Sequence, residues 1–243
     1  MKKDYISTTA ICAILIMLLV WLGISVNDAR HSAGDATCVS HLKMIGIALE
    51  NYQREHGSSP PIFVTDAEGK PMHSWRVLIL PYLGRQDIYA QYNFNEPWNS
   101  ASNRRLALQM PNVYRCPMDP SDAKTTTSYV AVVDPQYSPK SSSQKNDIDS
   151  TFENGKLFMV AEVADSNIDW MEPRDIGIDD AVRGINTEIK PCICSHHPHW
   201  TNYYRIDGSV ERLDNDTSHV ALDKLLRISP LVQDQQPTTT NPK

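Results

Sequence analysis

Two thiols and three imidazoles crowd into one short stretch, Cys192-Ile-Cys194-Ser-His196-His197-Pro-His199. Thiolate and imidazole are the ligands that zinc and copper prefer, so Cys192, Cys194, His196, His197 and His199 make a candidate metal set. Their spacing matches no common zinc-site pattern. A Cys-x-Cys pair needs its own turn, and neighbouring side chains point apart in an extended strand. The expectation is therefore that His197 hydrogen-bonds to the adjoining hairpin while the others lie at the surface. Zinc or copper is the alternative.

Carboxylates gather a little earlier, at Glu162, Asp165, Asp169, Glu172 and Asp175, beside Trp170 and Arg174. Paired carboxylates next to an aromatic suit glycoside chemistry, and oxygen ligands in a loop suit calcium. A salt bridge from Arg174 within a solvated loop explains the group more simply. Glu162 differs from the rest because it sits inside the apolar run from Leu157 to Val163. A buried carboxylate there needs a partner such as Arg174 or a histidine. His197 also precedes Asp207-Gly208, with nine residues between. If that segment is an extended strand the two lie roughly 25–30 Å apart, so they are not expected to form a catalytic dyad. No Gly-x-Ser-x-Gly elbow and no glycine-rich phosphate loop is present, so catalytic residues are assigned to none of the serines.

The elements that must position these groups are readable from pattern. Leu42, Ile45, Ile47, Ala48, Leu49 and Tyr52 suit one face of a helix from Thr37 to Tyr52, stopping near His56-Gly57 ahead of Pro60-Pro61. Gly34 and the polar stretch from Asn27 to Asp35 predict a break before it. Ser74 caps a second helical stretch reaching Gln91, with Pro81 kinking or dividing it. Residues 99–109 read as a short helix, 130–133 and 157–163 as strands, and 135–149 as a surface loop. Thr201 to Ile206 and Ser209 to Leu213 read as a hairpin. Its Asp207-Gly208 pair supplies the positive φ angles of a tight turn. His219 to Ile228 is a final amphipathic helix, and 233–243 a disordered tail.

From Tyr5 to Val26 the chain is apolar and uncharged, long enough to cross a bilayer as one helix. Lys2 and Lys3 ahead of it favour a cytoplasmic N-terminus and an extracytoplasmic remainder. A cleaved signal peptide would have a shorter apolar core and a small-x-small site after it, which Val26 lacks. Cys12 falls inside the run and reads as a small apolar residue in the bilayer. Residues 31–243 carry 20 basic and 27 acidic side chains. That balance argues against nucleic acid as a partner.

The His197-to-Asp207-Gly208 spacing resembles the H-x9-D-G signature of a bacterial domain family called prepilin-type, processing-associated, of unknown function. Cys38-Val-Ser-His-Leu-Lys-Met-Ile-Gly-Ile-Ala-Leu-Glu-Asn-Tyr52 is similar to that family's opening helix. Further similar blocks follow in order: residues 74–83, Phe94-Asn-Glu-Pro-Trp98, Arg115-Cys-Pro-Met-Asp-Pro120, 127–133, 163–165 and 170–175. The family's leader, Gly-Phe-Thr-Leu with a glutamate ahead of the apolar helix, is absent, so prepilin processing and fibre assembly do not carry over. The family also fills the Cys38 and Cys116 positions with cysteine, so the resemblance implies that these two can pair.

The reading is an α+β protein: residues 1–30 form a cytoplasmic stub and transmembrane anchor, and 31–232 an extracytoplasmic, pseudopilin-like domain. In it a long helix packs on an antiparallel sheet. The expected role is a structural or partner-binding component of an envelope or secretion-like assembly, anchored to the membrane through Tyr5 to Val26. Two alternatives remain open. Exposed Trp98, Trp170 and Trp200 in a groove would favour a solute- or glycan-binding module. Converging histidines with an open coordination position, and Glu162 as general base, would favour a metal-dependent hydrolase. Burial of both sets would leave the structural component.

Overall fold

The computed structural model describes residues 8–133, 159–188, 190–205 and 207–228. The expected loop at 135–149, the tail at 233–243, the start of the 157–163 run, and Lys2 and Lys3 lie outside the described residues.

Helix α1 spans Thr8–His56 without interruption, 49 residues or about 73 Å at 1.5 Å per residue. The expected break at Asn27–Asp35 does not occur. Asn27, Asp28, Arg30 and Ser32 face solvent on a continuing helix, Asp35 turns in to the domain, and Gly34 is needed for packing. A Cβ on Gly34 would overlap the Met118 side chain, and one on Gly46 the Tyr204 ring. The two glycines thus let α1 approach the domain closely. From Ala10 to Val26 the helix is exposed on nearly every side, with Leu15, Leu18, Leu19 and Trp21 all turned outward. This segment is apolar and long enough to cross a membrane. Farther along, Cys38, Leu42, Ile45 and Leu49 follow each other at three- and four-residue steps and are buried. Ile47 falls two residues off that stripe and is exposed, against expectation. The helix ends as expected at His56, where Gly57 (φ 79°) donates to the Gln53 carbonyl at 2.8 Å.

Strands β1 (Phe63–Thr65) and β2 (Pro71–Ser74) form a small antiparallel pair. Ser74 then caps α2 (Trp75–Leu78), its hydroxyl accepting the Arg76 N–H at 3.2 Å. Pro81 and Gly84 divide the long stretch expected here: a 3-10 turn at Leu80–Leu83 ends at Gly84 (φ 71°), and α3 (Gln86–Tyr89) follows. Further 3-10 turns cover Asn103–Gln109 and Asn112–Tyr114.

The main sheet comprises β3 (Tyr129–Val133), β4 (Met159–Glu162), β5 (Ile176–Gly177), β6 (Trp200–Arg205) and β7 (Val210–Asp214). Among the described residues its order is β5-β3-β4-β6-β7, antiparallel except for the β3–β5 edge pair. Side chains alternate across it. Tyr129, Ala131, Val160 and Tyr204 face α1 and the 62–114 segment. Val130, Val132, Met159, Ala161 and Tyr203 face the opposite core, closed by α4 (Ile178–Ala181) and α5 (His219–Ile228) through Ile178, Leu222 and Leu226. The β6–β7 hairpin closes with Arg205 donating to Ser209 and Gly208 donating to Arg205. Only Gly208 of the Asp-Gly pair takes a positive φ, 89°. One left-handed residue at Gly208 suffices for this closure. Asp207 instead accepts from the Ser209 amide at 3.0 Å and from its hydroxyl at 2.6 Å.

Candidate metal centre

Four side chains from four separate segments meet behind the sheet: Cys38, Cys116, Glu162 and His197, all buried, with ligand atoms within 4.8 Å of one another. Helix α1 contributes Cys38 from its buried stripe. Cys116 follows the 3-10 turn at Asn112–Tyr114, and its amide donates to Ser128 Oγ at 3.0 Å, which pins the loop to the start of β3. Glu162 closes β4 opposite Tyr129. His197 lies in the loop ahead of β6, where its amide donates to Ser195 Oγ at 3.1 Å. Its ring stacks parallel to Trp200 at 6.5 Å between centroids.

The two sulfurs are 2.8 Å apart, Cys116 Sγ is 4.0 Å from His197 Nε2, and His197 Nε2 is 3.6 Å from Glu162 Oε1. Glu162 is anchored through its other oxygen. Oε2 accepts the Asn202 amide at 2.9 Å and the Asn202 side-chain NH2 at 3.2 Å, whereas Oε1 is buried without a hydrogen-bond partner among the described residues. Behind the imidazole, Asp35 Oδ1 stands 3.9 Å from His197 Nδ1. Asp35 itself accepts from the Trp200 indole at 2.9 Å and from Asn202 at 3.0 Å, and it pairs with Arg212, which lies over the Trp200 ring.

Burial opposes charge on His197, but the facing Cys116 sulfur and Glu162 carboxylate outweigh it and push its pKa up to about 10. The Cys38 contact draws the Cys116 thiol down to about 7, and the same contact, with burial, pushes Cys38 up. For Asp35, burial raises the carboxyl, yet hydrogen bonds from Asn202 and Trp200 and the Arg212 charge bring it below the usual value. His197 Nε2 thus faces Glu162 on one side and Cys116 on the other. Thiolate, imidazole and carboxylate are also the donor types that zinc accepts.

The five residues Cys192, Cys194, His196, His197 and His199 do not converge. The chain bends through residues 196–199, and its successive side chains leave on different sides. His197 turns inward to Cys38, Cys116 and Glu162. His196 turns to Asp119 Oδ1 and Asp165 Oδ1, at 3.7 and 3.9 Å, in a partly exposed group. Cys192 and Cys194 are buried, with Lys190 Nζ 2.9 Å from Cys194 Sγ, and His199 is exposed beside Trp200. Among the described residues these last three join no potential ligand group. Cys194 and His196 do border the same narrow recess as Cys116, Glu162 and Ser128.

The remaining carboxylates disperse. Glu172 pairs with Arg174 at 2.6 Å, Asp175 with buried Arg76 at 2.5 Å, and Asp169 is half-buried in its own turn. Asp207 is exposed on the hairpin with Arg205, while His197 is buried in the cluster. The tryptophans form no stacking platform. Trp170 is fully buried with its indole bonded to the Ala107 carbonyl at 3.0 Å, Trp98 packs on the core, and Trp200 is held by His197 and Arg212. The sequence marks Glu162 as a buried strand carboxylate in need of a partner such as Arg174 or a histidine; His197 faces it, while Arg174 pairs with Glu172. The sequence does not mark Cys38 and Cys116 as neighbours of Glu162 and His197, because no local spacing links positions 38, 116, 162 and 197.

Fold and site together describe an α+β domain borne on one long N-terminal helix and closed around a buried Cys-Cys-His-Glu cluster. The chain belongs to the family described as "Protein of unknown function (DUF1559)", which matches residues 27–166. That stretch takes in Cys38, Cys116 and Glu162 and ends before His197. No curated protein and no solved structure matches the chain.

Proposed function

We propose that this protein is a single-pass component of the cell envelope, with a cytoplasmic N-terminus and an extracytoplasmic, pseudopilin-like domain that serves a structural or partner-holding role. The observation that carries this reading is the continuity of α1. One helix is exposed and apolar at its start and forms the spine of the domain at its end. The apolar run from Tyr5 to Val26 would reach about 33 Å as a helix, enough for the hydrocarbon core. Lys2 and Lys3 ahead of the run support the orientation.

Two observations favour a structural role over a glycan binder or a hydrolase. Trp170 is in the core rather than in a groove, and the donor cluster is sealed, with His197 3% and Glu162 1% exposed. A hydrolytic metal would need an open position for water.

Alkaline extraction of membranes from cells making the full chain, followed by protease treatment of intact spheroplasts, tests the reading. The chain is expected to stay with the membrane and to lose its domain to external protease. A chain released by alkali, or a domain protected until the membrane is lysed, would overturn the placement. Crosslinking in the same spheroplasts addresses the assembly role. A defined adduct is expected, and an exclusively monomeric chain at native expression levels would sink it.

A further inference from the structure

We propose that Cys38, Cys116, Glu162 and His197 bind one zinc ion in a closed structural site that staples α1 to the loop after the Asn112–Tyr114 turn, to β4 and to the loop ahead of β6. The proposal rests on the geometry of the cluster and does not depend on the membrane topology.

The donor set suits zinc. Two sulfurs, one imidazole nitrogen and one carboxylate oxygen complete a four-coordinate shell, whereas copper(I) in a thiolate site has little use for a hard carboxylate. Bond lengths of about 2.0–2.3 Å place tetrahedral ligand atoms roughly 3.3–3.8 Å apart. The nitrogen–oxygen separation of 3.6 Å falls in that range, and the sulfur–nitrogen separation of 4.0 Å is just outside it. The sulfur pair, at 2.8 Å, has to open by about 1 Å.

Surrounding groups are arranged as they are around metal ligands. A coordinating histidine generally directs its second nitrogen at a carboxylate, and His197 Nδ1 faces Asp35 at 3.9 Å. A coordinating carboxylate is steadied through its other oxygen, as Glu162 is by Asn202. The buried, unpartnered Glu162 Oε1 then gains the partner that burial requires.

A Cys38–Cys116 disulfide is the competing outcome. It would join two of the four groups and make no use of the converging His197 and Glu162. With all four ligands at 3% exposure or less, no position is left for substrate, which makes the site structural.

The test uses the full chain, exported in its host, extracted in detergent without chelator and purified through a tag free of histidine. Metal content and thiol state are measured on the same sample. About one zinc per chain is expected, with Cys38 and Cys116 reduced and unreactive to iodoacetamide until zinc is stripped. Cobalt(II) exchanged into the site should show thiolate-to-metal charge-transfer bands. His197→Ala is expected to lower zinc content at least tenfold, and Glu162→Gln to weaken zinc retention against a competing chelator tenfold or more. Cys192→Ala/Cys194→Ala should keep the metal. If His197→Ala does not fold, the zinc-dependent thiol protection and cobalt bands of the unmodified chain decide the matter. A metal-free chain with Cys38 disulfide-bonded to Cys116 would overturn the proposal. So would zinc that survives His197→Ala but is lost from Cys192→Ala/Cys194→Ala.

Discussion

Replacing Asp175 with alanine strands a guanidinium in the core. Arg76 is fully buried: Nη2 sits 2.5 Å from Asp175 Oδ1, Nε donates to the Tyr129 carbonyl at 3.1 Å, and Nη1 donates to Ser74 Oγ at 2.9 Å. Asp175 also accepts the Ala131 amide at 2.7 Å and the Trp75 indole at 3.2 Å. Removing the carboxylate therefore costs a counter-charge and two N–H acceptors together. Breaking one side of a buried pair costs about 3–5 kcal/mol, and each buried donor left dry adds about 1–3 kcal/mol. Water entering the vacated space offsets part of the second term, so roughly 4 kcal/mol is expected in all. Against a total stability of about 5–15 kcal/mol that is a large loss. For a domain of this size it corresponds to a Tm lower by roughly 8–16 °C. Burial pushes the Asp175 carboxyl above its usual value even with Arg76 beside it, so the pair holds little advantage over apolar packing. Arg76→Met combined with Asp175→Leu should accordingly recover most of the loss. Urea unfolding of the detergent-solubilised chain, followed by tryptophan fluorescence for Asp175→Ala and for the cycle of Arg76→Met, Asp175→Leu and their double variant, measures this. A cost below about 1 kcal/mol for Asp175→Ala, or a double variant as unstable as the two singles added, would refute the reasoning.

His73 is buried between the Tyr92 hydroxyl and the Phe94 carbonyl, each 3.0 Å away, and burial lowers its pKa below 6.5. A depressed histidine contributes stability that is present above the unfolded value and lost as pH falls below it. Urea unfolding between pH 7 and 5 should show a slope of up to about 1.4 kcal/mol per pH unit, which His73→Gln flattens; an unchanged slope counts against it. Gly46→Ala and Gly23→Ala should have opposite consequences on the same helix. The first drives a methyl into the Tyr204 ring and should cost about 1–3 kcal/mol, while the second meets open space and should cost nothing. Equal Tm values for the two variants would contradict the close approach of α1 to the sheet. Buried Asn103 ties the 93–97 loop by accepting the Asn93 amide at 2.8 Å and donating to the carbonyls of Asn93, Glu96 and Pro97. Asn103→Ala should lower stability by about 2–3 kcal/mol in the same unfolding assay, and an effect under 0.5 kcal/mol would exclude that role.

Local periodicity made the elements legible. Leu42, Ile45 and Leu49 marked the buried side of α1, Gly57 its end, Ser74 a cap, and Gly208 a turn, because each depends on neighbours within a few residues. The cluster was not legible. Cys38 and His197 are separated by most of the chain, and what joins them is the register of β4 against β6 and the seating of α1 on β6 and β7. Sequence proximity also misled. Cys192 to His199 resembles one ligand set, yet the chain bends through residues 196–199 and sends His196 and His197 to separate groups. The expected break at Asn27–Asp35 failed for a related reason. A polar stretch with a glycine predicts a break, although a helix leaving an apolar phase becomes polar on its solvent face without ending.

That continuity gives the turn containing Asp35 and Cys38 a particular mechanical position. Asp35 holds Trp200, Asn202 and Arg212 of β6 and β7, and Cys38 one turn later enters the cluster with β4. Both residues project from the same side of α1, three positions apart. The apolar run begins at Tyr5 and ends only nine residues before Asp35. A rigid helix transmits its direction over so short a span, so these two side chains set how the sheet is oriented relative to the segment that precedes it. Were the joint flexible, the cluster could do no more than stabilise the domain. Because α1 is unbroken, the contacts of Asp35 and Cys38 also fix the angle between the domain and the apolar segment that precedes it.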